Sequence, residues 1–98
     1  MASIMKDGNA SVTTAGTRVP LKSAKTMANW LLIQTKAANT GVIYLGGETV
    51  TATSGVILSS GDSDVVWPMM AFNCYDLNKI FVDAATSGDG VQYIYTSI

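Results

Sequence analysis

The sequence predicts a single all-β domain, a small β-sandwich or barrel of jelly-roll type with about seven to eight short antiparallel strands. Three observations lead there. Threonine, serine, valine and glycine are frequent, and β-branched side chains fit a pleated, half-buried surface better than a helix. Turn signals such as Ala15-Gly16, Asn39-Thr40-Gly41, Ser54-Gly55 and Ser87-Gly88-Asp89-Gly90 recur at a spacing of roughly 8–12 residues. The chain of 98 residues is also too short to divide into two independent cores.

Residues 1–16 are expected to form an N-terminal arm or a first short strand, and residues 17–98 the single β domain. Residues 9–14 (NASVTT) and 17–22 (TRVPLK) read as short strands on either side of Ala15-Gly16. Pro20 has no N–H to donate, which puts the second of these at a sheet edge or a strand end. Residues 29–37 (NWLLIQTKA) form the longest strand candidate. Leu31, Ile33, Thr35 and Ala37 make its core face, and Trp30, Leu32, Gln34 and Lys36 point the other way. The turn at residues 38–41 then predicts a hairpin, with residues 41–47 (GVIYLGG) as its return strand.

Residues 48–53 read as a short strand or an extended loop, followed by strands at 56–58 and 63–67, the last ended by Pro68. Residues 76–84 (DLNKIFVDA) alternate, with Ile80, Val82 and Ala84 inward and Lys79, Phe81 and Asp83 outward. Residues 91–97 place Val91, Tyr93 and Tyr95 on one face. The only stretch able to hold a helical turn, residues 69–77, is expected to be an irregular connection.

Composition narrows the function. Hydrophobic residues make up 48% of the chain and charged residues 13%, roughly half the usual charged share. So much apolar surface on so small a domain predicts that another subunit or partner covers some of it. A net charge of −1 and a single arginine, Arg18, leave no basic cluster to neutralise phosphates, so no nucleic-acid partner is expected. The longest uncharged apolar run, WLLI at 30–33, is far below the roughly 20 residues of a membrane helix, so no membrane partner is expected either. The N-terminal residues do not form a signal peptide, and Cys74, the only cysteine, excludes an internal disulfide and fits a reducing compartment.

The inventory for chemistry is mostly negative, and the sequence predicts neither an enzyme nor a cofactor. Without histidine, Ser-His-Asp, Cys-His and histidine–metal arrangements cannot be built, and Cys74 lacks the usual activating base. Asp62, Asp64, Asp83 and Asp89 are the candidates for a calcium site, but the Asp-rich spacing of a calcium loop is missing. Aspartates in Gly-Asp and Asp-Gly turns more often bond nearby backbone. Gly46-Gly47 is followed by Glu48-Thr49-Val50, with no lysine and no helix signal, so a phosphate loop is excluded. The two glycines read as a bend that releases the chain from its strand.

What remains is a contact surface. Trp67, Met69, Met70, Phe72 and Tyr75 cluster around Pro68 in a stretch without charge, and Trp30 lies on the outward face of its strand. Such residues are enriched at the buried centres of interfaces. The same stretch reads equally well as a plug closing the end of the domain.

RVPL at 18–21, NWLLIQTKAANTGVIYLGG at 29–47, SGVILSSGDS at 54–63 and IFVDAATSGDGVQYIY at 80–95 resemble small virion proteins of tailed bacteriophages. The resemblance runs over most of the chain from Arg18 onward, in strand-and-turn patterns and not in chemical motifs. Residues 67–75 do not match it. It implies a structural component without catalysis, made in the host cytoplasm and located on the capsid surface of the virion. The expected function is that of a decoration or cement protein, bound to the major capsid protein or another virion protein and forming a homo-oligomer, a trimer by analogy. The alternative is a receptor- or carbohydrate-binding module of a spike or tail fibre, using Trp30, Trp67 and the tyrosines as stacking platforms.

Overall fold

The computed structural model describes residues 4–59, 63–66 and 75–97. Among them the strands are β1 (Ile4–Ser11), β2 (Val19–Pro20), β3 (Met27–Thr35), β4 (Ile43–Gly46), β5 (Val56–Leu58), β6 (Ser63–Val66), β7 (Tyr75–Asp76), β8 (Phe81–Ala84) and β9 (Gly90–Ser97). They build two antiparallel sheets. The first has the order β1-β9-β3-β6, with β7 also on β3, and the second has the order β2-β8-β4-β5. The all-β sandwich expected from the turn spacing is therefore the fold.

The pairing has a simple origin. Ile4 lies opposite Ser97, Val19 opposite Val82 and Ile43 opposite Leu58. All three pairs are centred on one point of the chain, between Val50 and Thr51. The chain is one long hairpin, and the doubled ribbon is wound so that β9 comes to lie between β1 and β3, and β8 between β2 and β4. This is the jelly-roll winding. The tip is held tightly: Val50 N–H donates to Gly47 C=O at 3.0 Å, Thr51 bridges Ser54, and the Val50 side chain is buried. Residues 48–53 are thus a folded tip and not a strand. Pro20, in β2, sits at a sheet edge, as its missing N–H requires.

The hairpin expected between residues 29–37 and 41–47 does not form. β3 and β4 belong to different sheets: β3 pairs with β9, β6 and β7, and β4 with β5 and β8. The turn at 38–41 exists, but it carries the chain across the sandwich. Its hydrogen bonds go to the crossover between β8 and β9, and this fixes its direction: the Asn39 side chain donates to Gly90 C=O at 2.8 Å and accepts from Gly90 N–H at 3.0 Å.

Faces follow alternation more faithfully than pairings follow proximity. Leu31, Ile33 and Thr35 are buried on β3, facing Tyr95, Tyr93 and Val91 across the ladder to β9, and all three of those are buried too. Ala37 lies beyond the end of β3 and is exposed. A bulge at Asn29 lets Ala28 and Trp30 share a sequence parity while Ala28 is fully buried and Trp30 takes the outward side. The strand expected over 76–84 starts only at Phe81. Asp76 caps a 3-10 turn over Leu77–Lys79, accepting from Asn78 N–H, which leaves Lys79 exposed and Leu77 buried. Val82 and Ala84 are buried as expected, and Ile80 packs partly buried against the core.

A hydrogen bond ties the layers together, and two glycines give it and its strand room. The Tyr93 hydroxyl donates to Leu21 C=O at 2.8 Å, linking β9 to the chain just beyond β2. Gly8, opposite Tyr93 in the β1–β9 ladder, has no side chain because the tyrosine occupies that space: a Cβ there would stand 2.6 Å from the hydroxyl. Gly90 is more constrained, since its Cβ would meet Ala10 C=O at 2.2 Å, a backbone atom that cannot swing away.

Gly90→Ala is therefore expected to lower stability in denaturant unfolding by roughly 3 kcal/mol or more, above the ordinary range for overpacking. Tyr93→Phe orphans a buried carbonyl and is expected to cost about 1–2 kcal/mol. Burial, with Tyr95 adding to it, raises the Tyr93 hydroxyl above its ordinary value of 10.0. A raised value means the folded state holds the proton more tightly, so this contribution is complete below pH 10 and is lost as pH rises past it. Stability of the parent protein should decline on that alkaline side, and Tyr93→Phe should flatten the decline.

Candidate functional site

The aspartates are engaged in structure. Asp89 is buried at the crossover between β8 and β9 and accepts from Gly41 N–H at 2.8 Å and Thr40 N–H at 3.1 Å. Asp83 has the outward parity expected on β8, yet it is only 5% exposed. The connection between β1 and β2 folds over it, and Gly16 N–H donates to Asp83 Oδ1 at 2.9 Å. Both carboxylates clamp crossing loops whose backbone N–H groups have no ladder partner. Asp64 falls in β6, while Asp62 and Cys74 lie outside the described residues. Among the described residues no three acidic, histidine or cysteine side chains gather as a metal site, and no buried side-chain polar atom lacks a hydrogen bond.

Of the expected contact residues, Trp67, Met69, Met70 and Phe72 lie outside the described residues. Trp30 and Tyr75 are half-buried, but on opposite sides of the sheet: Tyr75 pairs with buried Ala28 and takes the inner side, whereas Trp30, opposite Thr96, takes the outer one. Val66 and Tyr75 pair with β3 on either side of Trp30. The same end of the sheet exposes Ile4 by 62%, Met5 by 56% and Met27 by 38%. Met5, Thr96 and Trp30 form one row across β1, β9 and β3. The tyrosines do not all offer platforms: Tyr93 and Tyr95 are buried, with ring centres 5.9 Å apart inside the sandwich.

Farther along the outer face of this sheet the surface becomes polar. A cleft of about 560 Å³ lies over β1, β9 and β3, lined by Asp7, Asn9, Leu32, Gln34, Gln92 and Ile94, with Lys36 at one side. Asn9, Gln92 and Gln34 stand in one row, and Gln92 Nε2 donates to Gln34 Oε1 at 3.0 Å. Lys36 Nζ donates to Ser11 Oγ at 2.7 Å, closing that side. No motif marks these residues in the sequence. The signal available is that each has the outward parity of its strand, and only the β1-β9-β3 order makes them neighbours. A second apolar spot, Val56 and Ile57 on edge strand β5, is likewise unmarked by any motif.

The fold defines the class, a small antiparallel jelly-roll sandwich. No family model, no curated protein and no solved structure matches the chain. No helix among the described residues is long and apolar enough to cross a membrane.

At the opposite end of β3 from Thr35, Asp76 holds the loop entering that strand, its Oδ1 accepting from Thr26 N–H at 3.0 Å and from Asn78 N–H at 3.0 Å. These bonds hold its carboxyl below the ordinary value of 3.8. The folded state thus prefers the ionised form, so the contribution is complete above that value and is lost as pH falls below it. Asp76→Asn should lower the melting temperature at neutral pH and show a shallower acid decline than the parent, followed by thermal unfolding between pH 7 and pH 2.

Proposed function

We propose that this chain is a non-catalytic structural protein of a bacteriophage virion, a decoration or cement protein that packs against the major capsid lattice. The observation that carries the reading is the apolar end of the β1-β9-β3 sheet. Met5 and Met27 are exposed there on the outer face beside half-buried Trp30, and Ile4 is exposed at the same end on the opposite side of its strand. Exposed apolar side chains gathered in one place, on a chain with few charges, are the composition of a contact centre. The resemblance of the strand-and-turn patterns to small virion proteins points to that partner, and the jelly-roll winding is one that viral capsid domains also use. Fold likeness alone is an analogy.

A cement protein adds buried area across junctions between capsomers, and symmetry repeats each weak contact many times. Self-association as a trimer at a local three-fold fits that role. The working test is co-sedimentation with particles assembled from the coat protein encoded alongside this chain, together with sedimentation equilibrium of the protein alone. Saturable binding in a fixed ratio is expected, and a Met5→Lys, Met27→Lys double variant that keeps its thermal unfolding should lose at least about tenfold in affinity. A monomer with no affinity for the particle would overturn the reading.

A further inference from the structure

We propose that the outer face of the β1-β9-β3 sheet binds a short neutral oligosaccharide, laid across the strands over Asn9, Gln92 and Gln34. Sugar hydroxyls both donate and accept, and carboxamides offer a donor and an acceptor side by side. Here three carboxamides share one row, on three adjacent strands. With strands about 4.8 Å apart the row spans about 10 Å, room for two pyranose rings. Gln92 is bonded to Gln34, which fixes both side chains and leaves the Gln92 carbonyl and the Gln34 amide nitrogen for a ligand.

The neighbouring row contains Asp7, Ile94 and Leu32 in register. The Asp7 and Asn9 side chains make no hydrogen bond or ion pair with the described residues, so their polar groups are open to a ligand. Ile94 and Leu32 supply an apolar floor for the C–H face of a sugar ring. A cleft with an apolar floor and a few convergent polar groups is the usual build of a small-ligand site.

Charge excludes other ligands. Lys36 is the cleft's only cation, and its ammonium is already bonded to Ser11. Asp7 balances it, so a phosphate or sulfated ligand would find no net attraction. A peptide adding to a sheet needs an open strand edge, whereas this surface is a sheet face whose middle strand, β9, is paired on both sides.

The proposal stands apart from the virion reading, since capsid binding and sugar binding use different rows of the sheet. The test is an array of neutral glycans, followed by NMR titration of the ¹⁵N-labelled protein with the best neutral oligosaccharide found. The expected result is saturable binding that shifts the side-chain amide signals of Asn9, Gln34 and Gln92. Asn9→Ala and Gln92→Ala, checked for unchanged thermal unfolding, should each weaken it at least about tenfold. Absence of neutral-glycan binding, binding confined to charged glycans, or binding that both variants retain would overturn the proposal. Particle binding by a protein that fails on the array would sink this proposal alone.

Discussion

The β1–β9, β2–β8 and β4–β5 ladders depend on the chain being doubled about one point between Val50 and Thr51. Once Ile43 is set against Leu58, the same doubling sets Val19 against Val82 and Ile4 against Ser97. The tip must therefore close in a small space. Gly55 takes φ +101° there, and a Cβ on it would stand 2.5 Å from Leu45 C=O. Winding the doubled ribbon then sends most connections from one sheet to the other. Loops that cross in this way leave N–H groups outside any ladder, and Asp83, Asp89 and Asn39 take up several of them. Residues that looked available for chemistry are occupied because the winding needs them.

Much of the fold was legible because alternation is a local property. The inward sets Leu31–Ile33–Thr35, Val82–Ala84 and Val91–Tyr93–Tyr95 need only a strand with one buried face. Pairing is not local. Neighbouring strands with a turn between them suggest a hairpin, and β3 and β4 look like one, but the winding gives β3 to β9. The bulge at Asn29 and the hold of Asp76 on the entry to β3 were hidden for another reason: each involves a partner, Thr96 or Thr26, that is distant in sequence. Asp83 illustrates the same limit. Its parity was readable, but the loop that covers it was not.

The surfaces fared in the same way. Trp30 and Tyr75 could be named from their type, but that they fall on opposite sides of β3, Trp30 outward and Tyr75 beside buried Ala28, could not. The amide row could not be read, because Asn9, Gln34 and Gln92 become neighbours only through the sheet order. Both surfaces share the outer face of one sheet, apolar at the end near Met5 and polar toward Ser11. Rows two residues apart on each strand separate them, so one partner can be held at the apolar end while the cleft stays open.

The placement of β9 has a consequence for how the protein is made. It is paired on both sides, to β1 and to β3, yet it is synthesised after all eight other strands. Until it leaves the ribosome, β1 has no ladder partner and β3 lacks its longest one, so the first sheet cannot assemble progressively as the chain emerges. The second sheet also waits, since β8, which joins β2 to β4, is followed directly by β9. Completion of the fold is then a late event, with β1 unpaired and β3 only partly paired in the meantime.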